Sequence, residues 1–97
     1  MSEVLKALAH PTRRDILQML KAREMSAGEI ASRFDLTKPT LSGHFNVLRE
    51  AGLVEVQRQG TTLIYRLNAS VLEEALLALM DGFGFGRGAA KDEEEER

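Results

Sequence analysis

The residues best suited to chemistry lie in one stretch, Thr37-Lys-Pro-Thr-Leu-Ser-Gly-His-Phe-Asn-Val-Leu-Arg-Glu50. Wound as a helix, it buries Leu41, Phe45 and Leu48 as one apolar stripe. The other side offers Lys38, Thr40, Ser42, Gly43 and Asn46, with His44 nearer the boundary. Almost nothing there is bulky, and nothing is acidic before Glu50. Small polar side chains on a projecting helix suit the edges of nucleic-acid bases, and a lysine suits phosphate. The free amides of a helix N-terminus add a further place for a phosphate. The alternative is an ordinary solvated face. Such a face favours Glu, Lys and Gln over Thr, Ser, Gly and Asn, which are poorer helix formers.

Other residues carry weaker signals. Arg58 and Gln59 flank a hairpin tip at Gln59-Gly60-Thr61. There Arg58 suits a minor groove, against the alternative of an edge-strand charge that blocks strand pairing. Arg13 and Arg14 are candidates for phosphate; for Arg13, a structural pairing with Asp15, Glu29 or a helix C-terminus competes. His10 precedes Pro11 at a helix start and reads as a turn residue. His44 reads equally as a DNA contact and as packing at the helix edge. Two isolated histidines do not make a zinc site. No nucleophile–base pair or carboxylate pair with a pocket is evident. The glycines of Gly82–Gly88 follow a helix rather than a strand, which excludes a nucleotide-binding fingerprint. The chain does not read as an enzyme, and no cofactor is expected.

Five helices and one hairpin must position these residues. Ser2–Ala9 has Val4, Leu5 and Leu8 at helical spacing. Pro11 interrupts it and starts a second helix, to about Lys21, with Ile16, Leu17 and Leu20 inward. Ser26-Ala-Gly-Glu29 is a capping box that opens a short third helix. Its inward residues are Ala27, Ile30, Ala31 and Phe34, and Phe34-Asp35-Leu36 is a tight connection. Thr37 caps the fourth helix, Pro39 lies in its first turn and Gly52 ends it. Val54 and Val56, then Leu63, Tyr65 and Leu67, alternate as half-buried strands do. Asn68 or Ser70 caps a last helix, and Ser70-Val-Leu-Glu73 is a second capping box. That helix carries Val71, Leu72, Ala75, Leu76, Leu79 and Met80, an apolar face too broad for packing on one side only.

Ninety-seven residues, 43% hydrophobic and 29% charged, give one soluble domain. The expected domain covers residues 1–81; residues 82–97 form a Gly-rich then acidic tail, read as disordered from Gly88 onward. The absence of cysteine excludes disulfides, thiolate metal sites and thiol redox sensing. No apolar run approaches a bilayer span and no signal segment opens the chain, so a cytoplasmic location is expected. The net charge of −2 looks wrong for a nucleic-acid binder. The tail Lys91–Arg97 holds two basic and five acidic residues, leaving eleven basic and ten acidic in residues 1–90. Affinity for phosphate must therefore come from local placement rather than bulk charge.

Three runs together carry a resemblance: Leu8-Ala-His-Pro-Thr-Arg-Arg-Asp-Ile-Leu, Leu41-Ser-Gly-His-Phe-Asn-Val-Leu-Arg-Glu-Ala-Gly-Leu-Val, and Arg58-Gln-Gly with Tyr65-Arg-Leu. Across roughly Val4–Asp81 the chain resembles the ArsR/SmtB family of bacterial repressors, and within it the SdpR-like autorepressor group. The resemblance implies a mainly α winged helix-turn-helix with a two-stranded wing. It implies a homodimer joined through the first and last helices, with the fourth helices in successive major grooves of an operator. It also implies release from DNA by a protein partner. Departures matter. Family metal sites use cysteines on the helix before the reader, or His and acidic residues on the last helix. Ser26–Phe34 has no Cys or His, and Val71–Asp81 offers only Glu73, Glu74 and Asp81. No metal site carries over. The family often has Arg where this chain has Gly43.

The function expected is sequence-specific, autoregulatory DNA-binding repression by a homodimer on an inverted repeat, without direct metal sensing. The DNA-binding set is Thr37, Lys38, Thr40, Ser42, Gly43, His44, Asn46, Arg58 and Gln59. The dimer set is Val4, Leu5, Leu8, Leu72, Leu76 and Leu79. The alternative is a winged helix used only for protein interaction, for which neutral charge and Gly43 would be natural.

Overall fold

Local bonding sets the ends of most elements. The computed structural model describes residues 2–85. Helices α1 (Ser2–Leu8) and α2 (Pro11–Ala22) meet at His10, the N-cap of α2, whose Nδ1 accepts the Thr12 amide at 3.1 Å. Pro11 opens α2, where its missing N–H costs nothing. Helix α3 (Ala27–Ala31) starts with the expected capping box. Ser26 Oγ accepts from the Glu29 amide, and the Glu29 carboxylate accepts from the Ser26 amide. Thr37 caps α4 (Lys38–Glu50). At its end Gly52 takes φ 76°, the Gly52 amide donates to the Arg49 carbonyl and the Leu53 amide to that of Leu48. This left-handed cap packs Leu53 with Leu48, and both are fully buried.

Strands β2 (Val54–Gln59) and β3 (Thr62–Leu67) pair antiparallel around a two-residue turn, Gly60-Thr61, with Gly60 at φ 64°. Gln59 therefore belongs to the strand, opposite Thr62, rather than to the tip. A third strand was not expected. Met25–Ser26, β1, pairs with Tyr65 and Ile64, so the sheet has the order β1-β3-β2. The fold is a winged helix-turn-helix, with the α3–α4 pair flanked by a three-stranded wing.

Helix α5 (Ala69–Gly82) departs from expectation at both ends. Asn68 occupies the N-cap without a side-chain bond, while its amide donates to the Leu53 carbonyl. The Ser70–Glu73 box does not form, because Ser70 is already inside the helix. At the other end Gly84, at φ 80°, closes the helix. The Gly84 amide donates to the Asp81 carbonyl and the Phe85 amide to that of Met80. The described backbone continues to Phe85, past residue 81, where the expected domain ends. The disordered tail expected from Gly88 lies outside the described residues.

The core joins all the helices to the sheet. Ile16, Ile30, Leu48 and Leu53 are its fully buried large residues, with Leu17, Leu20, Phe45 and Tyr65 around them. Helix α5 gives it only Ala75, with Val71 and Leu72 packed at its edge. Among the described residues, no helix is long and apolar enough to cross a membrane.

Candidate nucleic-acid interface

Helix α4 is turned as its apolar spacing predicts. Leu41, Phe45 and Leu48 are buried, whereas Lys38, Thr40, Ser42, Gly43 and Asn46 are all exposed. Among the described residues, neither Ser42 nor Asn46 has a side-chain hydrogen bond, so their polar groups remain free for an outside partner. A Cβ added at Gly43 would meet nothing within 4 Å, and its φ is ordinary for a helix. Folding therefore does not require glycine there.

The helix N-terminus is more occupied than expected. Thr37 Oγ1 accepts from the Thr40 amide at 3.3 Å and donates to Thr40 Oγ1 at 2.9 Å. Thr37 is thereby a cap that aims Thr40, whose own hydroxyl proton stays free. Pro39 has no N–H, and the Leu41 amide donates to the Thr37 carbonyl. Of the expected row of free amides, the Lys38 N–H alone remains.

His44 does not belong to the outer face. It is 9% exposed, with Nδ1 3.1 Å from Arg13 Nη1 and its ring centroid 4.5 Å from that of His10. Burial holds its pKa below the ordinary histidine value, and the nearby His10 and Arg13 push the same way. Of its two readings, DNA contact and packing at the helix edge, the burial and the inward bond favour packing. Arg13 also donates to the Ala7 and Lys6 carbonyls, and Arg14 to the Leu8 carbonyl. Both arginines serve the C-terminus of α1, the structural alternative weighed for Arg13.

The wing reaches the same side. Arg58 pairs with Leu63, so by alternation it shares a sheet face with Val54, Val56 and Tyr65. That face packs on α4 through stacked Phe45 and Tyr65. Gln59 falls on the opposite face. A groove of about 320 Å³ opens between α3, α4 and β3, lined by Lys38, Ser42, Phe45, Leu63 and Tyr65 among others. The structure thus brings Lys38, Ser42 and the Arg58 strand position to one side, and leaves Gln59 off it.

Apolar surface gathers elsewhere. Leu5 is 38% and Leu76 43% exposed, and Leu8, Leu72 and Leu79 are half-buried. Leu8, Leu72 and Leu76 line an apolar groove of about 430 Å³ with Leu17 and Leu67, rimmed by Arg14 and Lys21. Val4 lies in the chain's own core and has little surface left to bury. Leu77, Met80, Phe83 and Phe85 are also exposed. Their signal was present as apolar residues beyond the helical stripe and inside the Gly-rich stretch. Among the described residues, no three His, Cys, Asp or Glu side chains converge on a metal-sized site.

A helix-turn-helix domain family matches residues 8–57. The transcriptional repressor SdpR of Bacillus subtilis is 42% identical over 76 residues, covering 78% of this chain and 84% of that protein. This chain belongs to the ArsR family of winged helix-turn-helix regulators. A biofilm growth-associated repressor of Agrobacterium fabrum is 43% identical over 79 residues, covering 78% of this chain and 68% of that one. Among solved structures, an ArsR-like transcriptional regulator from a Rhodococcus species superposes with a TM-score of 0.76 at 27% identity, covering 98% and 85% of the two chains. The transcriptional repressor BigR from Xylella fastidiosa gives 0.67 at 35% identity, with 84% of each chain covered. ArsR-family proteins are DNA-binding transcriptional regulators, not enzymes, and the chain has the winged helix-turn-helix fold of that family.

Proposed function

We propose that this ArsR-family chain is a cytoplasmic, autoregulatory repressor that binds an inverted-repeat operator as a homodimer and senses no metal directly. The observation that carries the DNA reading is the outer face of α4, where Thr40, Ser42, Gly43 and Asn46 lie exposed. Lys38 and Arg58 supply charge on the same side, Lys38 at the helix start and Arg58 on the wing. Two such helices, related by a dimer axis, would enter major grooves ~34 Å apart. Exposed Leu5, Leu76, Leu77 and Met80 support dimerisation, since each buried leucine contributes ~1.5–3 kcal/mol. The lack of cysteine and of histidine on α5 supports independence from metals. Relief by a protein partner follows from the SdpR-like resemblance.

A gel shift on the DNA upstream of the chain's own coding region, at two salt concentrations, tests the proposal. Specific, salt-weakened binding is expected. If neither this fragment nor a genomic footprint shows specific binding, the protein-interaction alternative takes its place.

A further inference from the structure

Arg13 makes three side-chain hydrogen bonds. Its Nε donates to the Ala7 carbonyl at 2.9 Å, Nη2 to the Lys6 carbonyl at 2.9 Å and Nη1 to His44 Nδ1 at 3.1 Å. One guanidinium on α2 thereby ties the end of α1 to the inner side of α4. A guanidinium has donors only, so His44 Nδ1 must accept. The ring is then the neutral tautomer with its hydrogen on Nε2. His10 uses its own Nδ1 the same way, accepting the Thr12 amide as the cap of α2. A proton added at His44 Nδ1 turns that acceptor into a donor aimed at another donor.

The charged surroundings do not offset that conflict. Helix α1 carries Glu3 and Lys6, both exposed; α2 carries Arg13, Arg14 on the Leu8 carbonyl, and exposed Asp15 and Lys21. Strand β2 carries Glu55, paired with Arg66, and exposed Arg58; α4 itself carries Lys38, Arg49 and Glu50, all exposed. Among the described residues no carboxylate hydrogen-bonds the His44 ring. Its close charged or titratable neighbours are Arg13 and His10, and either as a cation disfavours a second positive charge.

We propose that Arg13 is a positioning residue that sets helix α4 through His44, and that protonation of His44 releases it, so that operator binding weakens in mild acid. This rests on the DNA reading above. Burial and the two neighbours favour the neutral His44 ring, whose pKa is lowered. The tie is complete above the ordinary histidine range and is lost as pH falls through that lowered value.

A duplex selected by the protein itself from a random-sequence pool at about pH 7.5 serves as probe, with helix content followed alongside. Wild-type affinity should fall about tenfold between about pH 7.5 and pH 5, as a one-proton linkage allows. His44→Gln offers an amide oxygen that accepts from Arg13 and does not titrate. It should bind near wild type at the higher pH and lose little in acid. His10→Asn keeps a capping acceptor and should retain the acid loss. Arg13→Gln should bind weakly at both pH values. Affinity that is flat or rises in acid while the wild type stays folded overturns the proposal, as does an undiminished acid loss in His44→Gln. Ring-nitrogen NMR reads the tie without DNA: the hydrogen of His44 must sit on Nε2, and an Nδ1–H tautomer overturns the tie. A pool yielding no preferred sequence removes the DNA reading instead, and the coupling to operator binding with it.

Discussion

The rings of Phe45 and Tyr65 lie stacked, 4.4 Å between centroids and 23° between planes. The pair fastens α4 to the central strand of the sheet, because Tyr65 is opposite both Met25 and Val56. Helix α4 and the wing thus share this aromatic contact, within a core that also holds Leu48, Leu53 and Val54. Burial raises the Tyr65 pKa, and its hydroxyl has no hydrogen bond among the described residues.

The stack, rather than the hydroxyl, should therefore hold Tyr65 in place. Tyr65→Ala is expected to cost about 3–5 kcal/mol, the range for removing a large aromatic from a core. Tyr65→Phe keeps the ring pair and should cost less than about 1 kcal/mol. Urea unfolding of the two variants checks this; equal losses would show that the hydroxyl is the anchor.

Association should depend on α5 more than on the start of α1. Leu76 is 43% exposed in the single chain and Val4 only 7%. Leu76→Glu should yield monomers or unfolded chain, whereas Val4→Ala should lower stability without changing association at native conditions. Sedimentation of the wild type as a monomer at micromolar concentration would contradict the dimer.

Metal ions should leave the protein's DNA affinity unchanged. Helix α5 offers Glu73, Glu74 and Asp81 but no histidine, and the chain has no cysteine. Titration calorimetry with zinc, cobalt and nickel should show no tight stoichiometric binding. A submicromolar zinc site that changes DNA affinity would refute this.

Signals bonded within a few residues were legible in the chain. Ser26 with Glu29, Thr37 before Pro39 and Gly52 after Glu50 all act where the sequence places them, since each bond closes inside one turn. Distant partners were not legible. Met25–Ser26 is too short to show alternation and becomes a strand only because Tyr65 and Ile64 lie beside it. The helical period puts His44 beside the Leu41–Phe45–Leu48 stripe, but its inward bond depends on Arg13, 31 residues earlier. On α5, Ser70–Glu73 has the spacing of a box, yet the helix starts at Ala69 because the Asn68 amide is held by the Leu53 carbonyl. Tertiary bonding outweighed a local pattern there. Of the candidate DNA face, the α4 residues were readable from period alone. The side taken by Gln59 required the hairpin register.

Gly43 separates folding from reading most sharply. Glycine within a helix costs up to about 1 kcal/mol relative to alanine. Here a Cβ would meet nothing within 4 Å, so packing gives no return for that cost. Gly43→Ala should accordingly stabilise the fold by about 0.5–1 kcal/mol in chemical denaturation. Gly43→Glu should also fold, since its side chain projects into open space, but should abolish operator binding by bulk and charge. Its neighbours should respond differently from one another. Ser42→Ala and Asn46→Ala should each cost about 1–3 kcal/mol of specific binding and relax base preference. Lys38→Ala and Arg58→Ala should weaken all sequences alike and flatten the salt dependence. Paired denaturation and gel-shift measurements check the set. A folded Gly43→Glu dimer with full operator affinity would show that this face stays out of the groove, and the protein-interaction alternative would then be favoured.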